Sequence, residues 1–394
     1  MPQRTNYFFR NSIRREVKEL FASVWIQNFA VQLITLFIPI YFWKLGYTAW
    51  EIAFFFVIVY TVYFFIVPLG AKLSMRYGYE HTIIFSIPVM IVYHVALYGI
   101  EFYDWSFFVA AVLFAVAKTL YWPPYHADLA RFGGKKQRGR ELSVLVVVGQ
   151  LTIFIAPLLA GTVLEELSFG WLFFIGSVLM AISAIPLMLS KEKVFPKKIR
   201  YWDFHRAYFS KFHVRRAITY MGLGEELVAM VIWPIFIFSV VGDFLLFGGI
   251  LTGAMLISSI LMLFTGRLTD RFRRSSVMKG VTLFYFVSWF PKLLIKTPVH
   301  AFVTDSFGQF LKNANLLPLH AMAYTEAKEN YGDKVIMGAM LFEMGYIVSK
   351  IIAALALMLV GLFTNDLRIL MLVGAVMVLF YLFVKELPEK KKLA

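Results

Sequence analysis

Long apolar runs with almost no charge in them constrain this chain more than any other feature. A helix that crosses a bilayer needs about 20 mostly apolar residues. Twelve candidate segments lie near 19–43, 51–73, 82–100, 106–127, 142–164, 169–190, 217–241, 244–266, 277–295, 299–325, 335–362 and 368–385. The runs are continuous rather than alternating, which excludes the pattern of a membrane β-barrel. In hydrocarbon every backbone polar group must bond within its own segment, so such runs fold as helices. The expectation is an all-α membrane protein with twelve transmembrane helices. Composition agrees, because only 16% of the residues are charged and 60% are hydrophobic, against about 25% charged in soluble domains. There is no cysteine, which excludes disulfides, thiolate metal sites and a catalytic thiol. The stretch 1–18 is polar and basic, and no short apolar segment with a small-residue cleavage site follows it. The first run therefore reads as an uncleaved first helix.

The net charge of +15 would suggest a nucleic-acid partner in a soluble protein. Its distribution points to membrane orientation instead. The segments around 1–18, 72–81, 128–141, 191–216, 267–279, 327–334 and 385–394 hold 32 Lys and Arg. The alternating loops hold four: Lys44, Lys292, Lys296 and Arg368. Cations collect on the cytoplasmic side, so both termini are expected there, and the span count must be even. The longest hydrophilic stretch, 191–216, divides the chain into an N-terminal six-helix half, 1–190, and a C-terminal six-helix half, 217–394. Its nine cations and the aromatics Tyr201, Trp202, Phe204, Tyr208 and Phe209 fit a segment lying on an anionic inner leaflet. They fit a linker whose charges set topology equally well.

One pattern occurs twice. Lys118, Pro124 and His126-Ala127 return 194 residues later as Lys312, Pro318 and His320-Ala321. At the same offset Gln32 falls on Glu226, and Pro39 matches Pro234 at 195. A lysine inside an apolar run costs about 2.5–3.5 kcal/mol on insertion scales. Two such costs at matching places indicate a duplicated protein with a polar interior, its halves pseudo-symmetric about an axis along the membrane normal.

The loop after the eighth run reads Gly266-Arg-Leu-Thr-Asp270-Arg271-Phe272-Arg273-Arg274. It resembles the signature loop of the major facilitator superfamily, with Arg273 where a second glycine is usual. Ala71-Lys-Leu-Ser-Met75-Arg76-Tyr77-Gly78 is a weaker echo in the first half, with Met75 replacing the acid. Ala156-Pro157-Leu158-Leu159-Ala160-Gly161 resembles a worn form of the family's antiporter motif, and its small residues suit close helix packing. The resemblance implies a transporter fold of two six-helix bundles. It also implies a cytoplasmic latch of Asp270 and Arg271, with Arg76 facing Asp128 and Arg271 facing Glu326. Topology and helix capping would account for the same residues.

The interior polar residues suggest a site. Asp305, Gln309 and Lys312 lie on one helical face, continued by Asn315. Lys118, Tyr121, Trp122 and Tyr125 align similarly, so a cation sits beside rings able to stack a solute. Structural ion pairs with interior acids are the alternative reading of the lysines. Glu226, Asp305 and Glu343 are the acids placed to accept a proton, with Glu225 as neighbour to Glu226. His126 and His320 could titrate near neutral pH, or bond carbonyls freed by proline. Candidate substrate-binding residues are therefore Lys118, Tyr121, Trp122, Tyr125, Gln309, Lys312, Asn315 and Gln32.

These features describe a multi-pass plasma-membrane secondary transporter, not an enzyme. It would move a small anionic solute by alternating access, coupled to protons. It is expected to act as a monomer in the bilayer, with no cofactor, metal or nucleic acid. A proton-driven exporter of amphipathic drugs is an alternative, as is a non-transporting membrane sensor or scaffold with the same fold. No nucleotide-binding glycine loop is present, which argues against direct ATP drive.

Overall fold

The structure is a computed structural model that describes residues 15–132, 154–188, 199–210, 217–269, 274–331 and 335–384. Side chains are described for all of these except 15–21, 128–132, 263–269, 274, 324, 326–331 and 335. The described residues form helices and contain no strand.

In chain order the helices are α1 (Arg15–Thr35), α2 (Ile38–Lys44), α3 (Ala49–Tyr77), α4 (Tyr79–Gly99) and α5 (Trp105–Phe132). Helix α6 covers 154–166, followed by α7 (Phe169–Met188) and α8 (Tyr201–Tyr208). Helix α9 covers 217–220 and runs through a 3-10 turn, Met221–Gly224, into α10 (Glu225–Val241). Then come α11 (Phe244–Thr269), α12 (Arg274–Val287), α13 (Trp289–Leu293), α14 (Pro298–Tyr331), α15 (Val335–Gly361) and α16 (Leu367–Val378). Among the described residues, eight helical stretches are long and apolar enough to cross a membrane. The others fall short for visible reasons. Helix α6 starts where the described residues start. Ser288 separates α12 from α13. Helix α14 carries Asp305 and Lys312, and α16 with the 3-10 turn that continues it, Leu379–Phe383, stays shorter than 18 residues.

Several breaks follow from proline and glycine. Pro39 has no N–H to bond the carbonyl four residues back, and the chain kinks between α1 and α2 at Leu36-Phe37. Thr48 caps α3 in a capping box with Glu51, whose Oε2 accepts from the Thr48 backbone N–H at 2.8 Å. Gly78, at φ 101°, joins α3 directly to α4. Such a positive φ is open to glycine and strained for most other residues.

Helices α1 to α7 pack mainly on one another, as do α10 to α16 apart from α15, which packs as extensively on the first group. The two groups meet most extensively along α3 and α15, with further contact of α5 on α15 and of α2 on α10. Helix α11 also lies against α6. The backbone there is so close that a Cβ on Gly248 would collide with the Pro157 carbonyl. The small residues around Pro157 thus serve helix approach, with Ala156 and Ala160 fully buried. At the short-loop end of the bundle, rings from both groups interlock. Phe37 meets Phe247 edge-on at 5.3 Å, and Phe238 stacks on Phe244 at 4.6 Å. Lys44 caps this cluster, 4.5 Å from the Phe244 ring centre.

Helix α8 lies within the central hydrophilic stretch and packs on both α3 and α15. Phe204 and Tyr208 are buried, while Trp202 and Phe209 are exposed. The Tyr201 hydroxyl donates to the Phe65 carbonyl of α3. Burial pushes the Tyr208 hydroxyl up to about 12, so it remains neutral. Half of this aromatic helix is therefore committed to protein packing and half is left facing outward.

Candidate functional site

The polar interior lies where the two groups of helices meet. It is organised around acids on α10 and α15. The 3-10 turn Met221–Gly224 delivers Glu225 and Glu226 into the first turn of α10. Gly224 permits this, because a side chain there would press on the Ser349 carbonyl of α15 at 2.8 Å. Close approach brings Glu226 to α15. Its Oε2 accepts from Tyr346 Oη at 2.8 Å and from Lys350 Nζ at 3.1 Å. Its Oε1 lies 3.6 Å from Lys312 Nζ on α14. One carboxylate thus faces two cations. Glu225 points elsewhere, with Oε2 accepting from Tyr285 Oη at 2.7 Å, and Oε1 buried without a hydrogen-bond partner.

Glu343 joins the two groups. Its Oε1 accepts from Tyr63 Oη of α3 at 2.6 Å, and its Oε2 lies 3.1 Å from His126 Nε2 of α5. Trp122 stacks on the His126 ring at 5.3 Å. Tyr121 and Tyr125 stack at 5.5 Å, and Tyr121 Oη donates to Asn28 Oδ1 at 3.1 Å. Lys118 sits at the edge of this cluster. Its Nζ lies 4.8 Å from the Phe114 ring centre, 5.5 Å from Tyr60 and 5.9 Å from Trp122. Among the described residues no carboxylate lies within ion-pair distance of Lys118. The two repeat-related lysines therefore differ: Lys312 is paired and Lys118 faces rings.

Asp305 is nearly sealed, at 1% exposure. Its Oδ1 accepts from Trp233 Nε1 at 2.7 Å, and its Oδ2 has no hydrogen-bond partner. Lys292 corrects the loop assignment made from sequence. It is buried in α13, with Nζ 4.4 Å from each of the Trp233 and Trp289 ring centres. Asn315 Oδ1 accepts from Thr282 Oγ1 at 3.1 Å, well inside α12 and α14. Gln309 and Gln32 are half-buried.

Arg76 is exposed beside the Tyr77 ring, at 5.2 Å. Asp270 and Arg271 lie outside the described residues. So do the side chains of Asp128 and Glu326, although their helices are described. Sequence reasoning missed Tyr63, Tyr285 and Tyr346 as members of the polar interior, and left His126 between a titrating group and a bond to a proline-freed carbonyl. Lys350 lies seven residues after Glu343 on α15, and each pairs with a residue of another helix.

The fold and the buried ionic interior call for comparison with known proteins. The sequence profile of the Major Facilitator Superfamily matches residues 20–242. The chain belongs to the major facilitator superfamily. Among curated proteins none matches the sequence. Among solved structures, the fold is similar to that of the nucleoside transporter NupG. Its D323A mutant superposes with a TM-score of 0.71 at 14% identity, over 94% of this chain and 98% of that one. NupG without that substitution gives a TM-score of 0.69 at 14% identity, over the same shares. At such identity the likeness is one of fold.

For a superfamily transporter, this arrangement offers three chemical functions. A cation beside rings can hold an anion. A carboxylate between two lysines can exchange partners. A carboxylate bridging two groups of helices can tie or release them. Among the described residues, no group of three or more His, Asp or Glu is placed to hold a metal ion.

Proposed function

We propose that this chain is a secondary active transporter that moves a small anionic solute by alternating access. The moving parts are two six-helix halves, 1–190 and 217–394, twelve spans in all, connected by 191–216. Both termini face the cytoplasm of a plasma membrane, as the 32-to-4 cation split supports. The observation that carries the substrate class is Lys118. It is a half-buried cation in a spanning helix, framed by Phe114, Tyr60 and Trp122 and without a carboxylate partner among the described residues. An unneutralised charge at that depth is costly, and a bound anion offsets the cost. Tyr121, Trp122 and Tyr125 offer ring faces to the rest of the solute.

Coupling to protons rests on the acids. Glu343 bonds to Tyr63 and His126 across the halves, so adding a proton to it weakens a tie between them. Glu226 holds Lys312 and Lys350, and an incoming anion competes for either lysine. Asp305, with one unpartnered oxygen, is a further acceptor. Uptake of anionic, neutral and cationic solutes into proteoliposomes, with and without a pH gradient, tests the reading. Gradient-dependent uptake confined to anions supports it. Uptake of amphipathic cations instead would favour a drug exporter, and no gradient-dependent flux at all would favour a sensor or scaffold.

A second reading is favoured by the likeness to a nucleoside transporter. There the stacked pair Tyr121 and Tyr125, with Trp122, would hold a nucleobase. Nucleosides in the same uptake panel, with nucleotides beside them, separate the two readings.

A further inference from the structure

A cleft of about 670 Å³ lies away from the polar interior, between α4 and α7. It is within the volume range of about 300–1,000 Å³ usual for small-molecule sites. Ile91, Val95, Trp171, Phe174 and Val178 line its walls, and Tyr98 stands at its rim. Val95, Phe174 and Val178 are exposed on a spanning segment of the bundle, so the cleft opens sideways toward lipid. It occupies the half of the membrane nearest the short-loop end, because α4 ends at Gly99 and α7 begins at Phe169.

One polar group breaks the apolar lining. His94 is 3% exposed, and its Nδ1 lies 3.0 Å from Ser177 Oγ. The Ser177 hydroxyl also lies 2.8 Å from the Phe173 carbonyl. That carbonyl can only accept, and a serine has one proton. The assignment that serves both contacts has Ser177 donating to Phe173 and accepting from His94. Nδ1 then carries the imidazole proton, and Nε2 is a bare acceptor. Nε2 has no hydrogen-bond partner, yet it is not among the sealed atoms that lack one. It therefore reaches the cleft. An acceptor facing hydrocarbon loses the water that would otherwise satisfy it.

We propose that this cleft is a binding site for a bilayer lipid with a free hydroxyl, such as a diacylglycerol. One acyl chain runs from the level of His94 along Val178 and Ile91 toward the membrane centre. The hydroxyl donates to His94 Nε2. Tyr98 and Trp171 lie at the rim, where aromatic side chains favour the membrane interface. The site is separate from Lys118 and the acids of the interior, and it needs no assumption about the transported solute.

The test uses the full chain in phosphatidylcholine nanodiscs. A diacylglycerol carrying a diazirine and an alkyne on one acyl chain is photo-crosslinked, and the labelled peptides are mapped. Label is expected on 91–98 and 168–181. Excess unlabelled diacylglycerol should displace it about fivefold better than its methyl ether, as the loss of one hydrogen bond implies. His94→Phe should erase that preference. Val178→Trp, at a position 41% exposed, should block labelling of the cleft, with the melting temperature in detergent checking that the variant is folded. Equal displacement by alcohol and ether overturns the proposal. So does label spread over the lipid-facing surface and indifferent to Val178→Trp.

Discussion

His126 Nε2 lies 3.1 Å from Glu343 Oε2, and the two residues belong to helices on opposite sides of the meeting face. Tyr63 reaches the other oxygen of the same carboxylate from α3. Glu343 is thus held by two helices that precede the central linker, while its own helix follows it. Any rocking of one group against the other must stretch or break these bonds. On the proposed coupling, a proton on Glu343 would remove the carboxylate charge from this tie and ease that movement.

Glu343→Gln keeps size and an acceptor for Tyr63 but removes the charge. The expected outcome is loss of gradient-driven accumulation with exchange of substrate for substrate retained. Counterflow and pH-driven uptake in the same proteoliposomes measure both. Accumulation equal to that of the unmodified chain would move the coupling to Glu226 or Asp305, where Glu226→Gln and Asp305→Asn repeat the test.

Glu226 faces Lys350 and Lys312, at 3.1 and 3.6 Å. Lys350 is nearly sealed, at 1% side-chain exposure. Removing the carboxylate leaves two interior cations facing each other. Breaking a buried pair from one side costs about 3–5 kcal/mol, although the partial exposure of Glu226 and Lys312 places this case toward the lower end. Glu226→Gln should lower the melting temperature in detergent clearly. Adding Lys350→Met should recover part of the loss, because the pair is then removed from both sides. A double variant less stable than the single one would show that Lys350 is held mainly by its other contacts.

Eight spans were legible because hydrocarbon admits few alternatives to helix, and a run of apolar residues records that directly. The acids and lysines of the interior were legible as residues too costly to face lipid. Their partners were not. Helical spacing tells which side chains share a face, but not which helix that face meets. Asp305 and Lys312 share a face, yet Asp305 bonds Trp233 on α10 while Lys312 reaches Glu226. Lys292 read as a loop cation because it lies near a run's end. The structure buries it between two tryptophans. The tyrosines that serve the carboxylates were hidden by abundance, for the chain holds 20 of them and only packing singles out Tyr63, Tyr285 and Tyr346.

Lys118 and Lys312 occupy equivalent places in the repeat but have different surroundings, so their substitutions should differ in kind. Lys118→Met removes a cation that rings surround and no carboxylate neutralises, and the protein should insert and melt normally. A charge-assisted hydrogen bond to substrate is worth about 1.5–3 kcal/mol, so KM should rise about 10- to 100-fold. Lys312→Met removes one of two cations from Glu226, and both stability and transport should fall. Unchanged KM for every transported solute in Lys118→Met would remove Lys118 from the binding site.

Helix α8 provides a test of the central linker that does not depend on transport. Phe204 is fully buried where α8 packs on α3 and α15, whereas Trp202 on the same helix is 65% exposed. Deleting a buried aromatic side chain costs about 3–5 kcal/mol. An exposed one, away from caps and networks, changes stability by about 0.5 kcal/mol or less. Phe204→Ala should therefore lower the melting temperature and Trp202→Ala should not, measured by light scattering in detergent. The same pair separates two uses of the helix. If the outward face of α8 rests on the membrane surface, lipids brominated near the headgroup should quench a component of the tryptophan emission that Trp202→Ala removes, while leaving melting unchanged. If Phe204→Ala proves neutral, α8 is not wedged between α3 and α15, and the linker connects the two groups of helices without holding them.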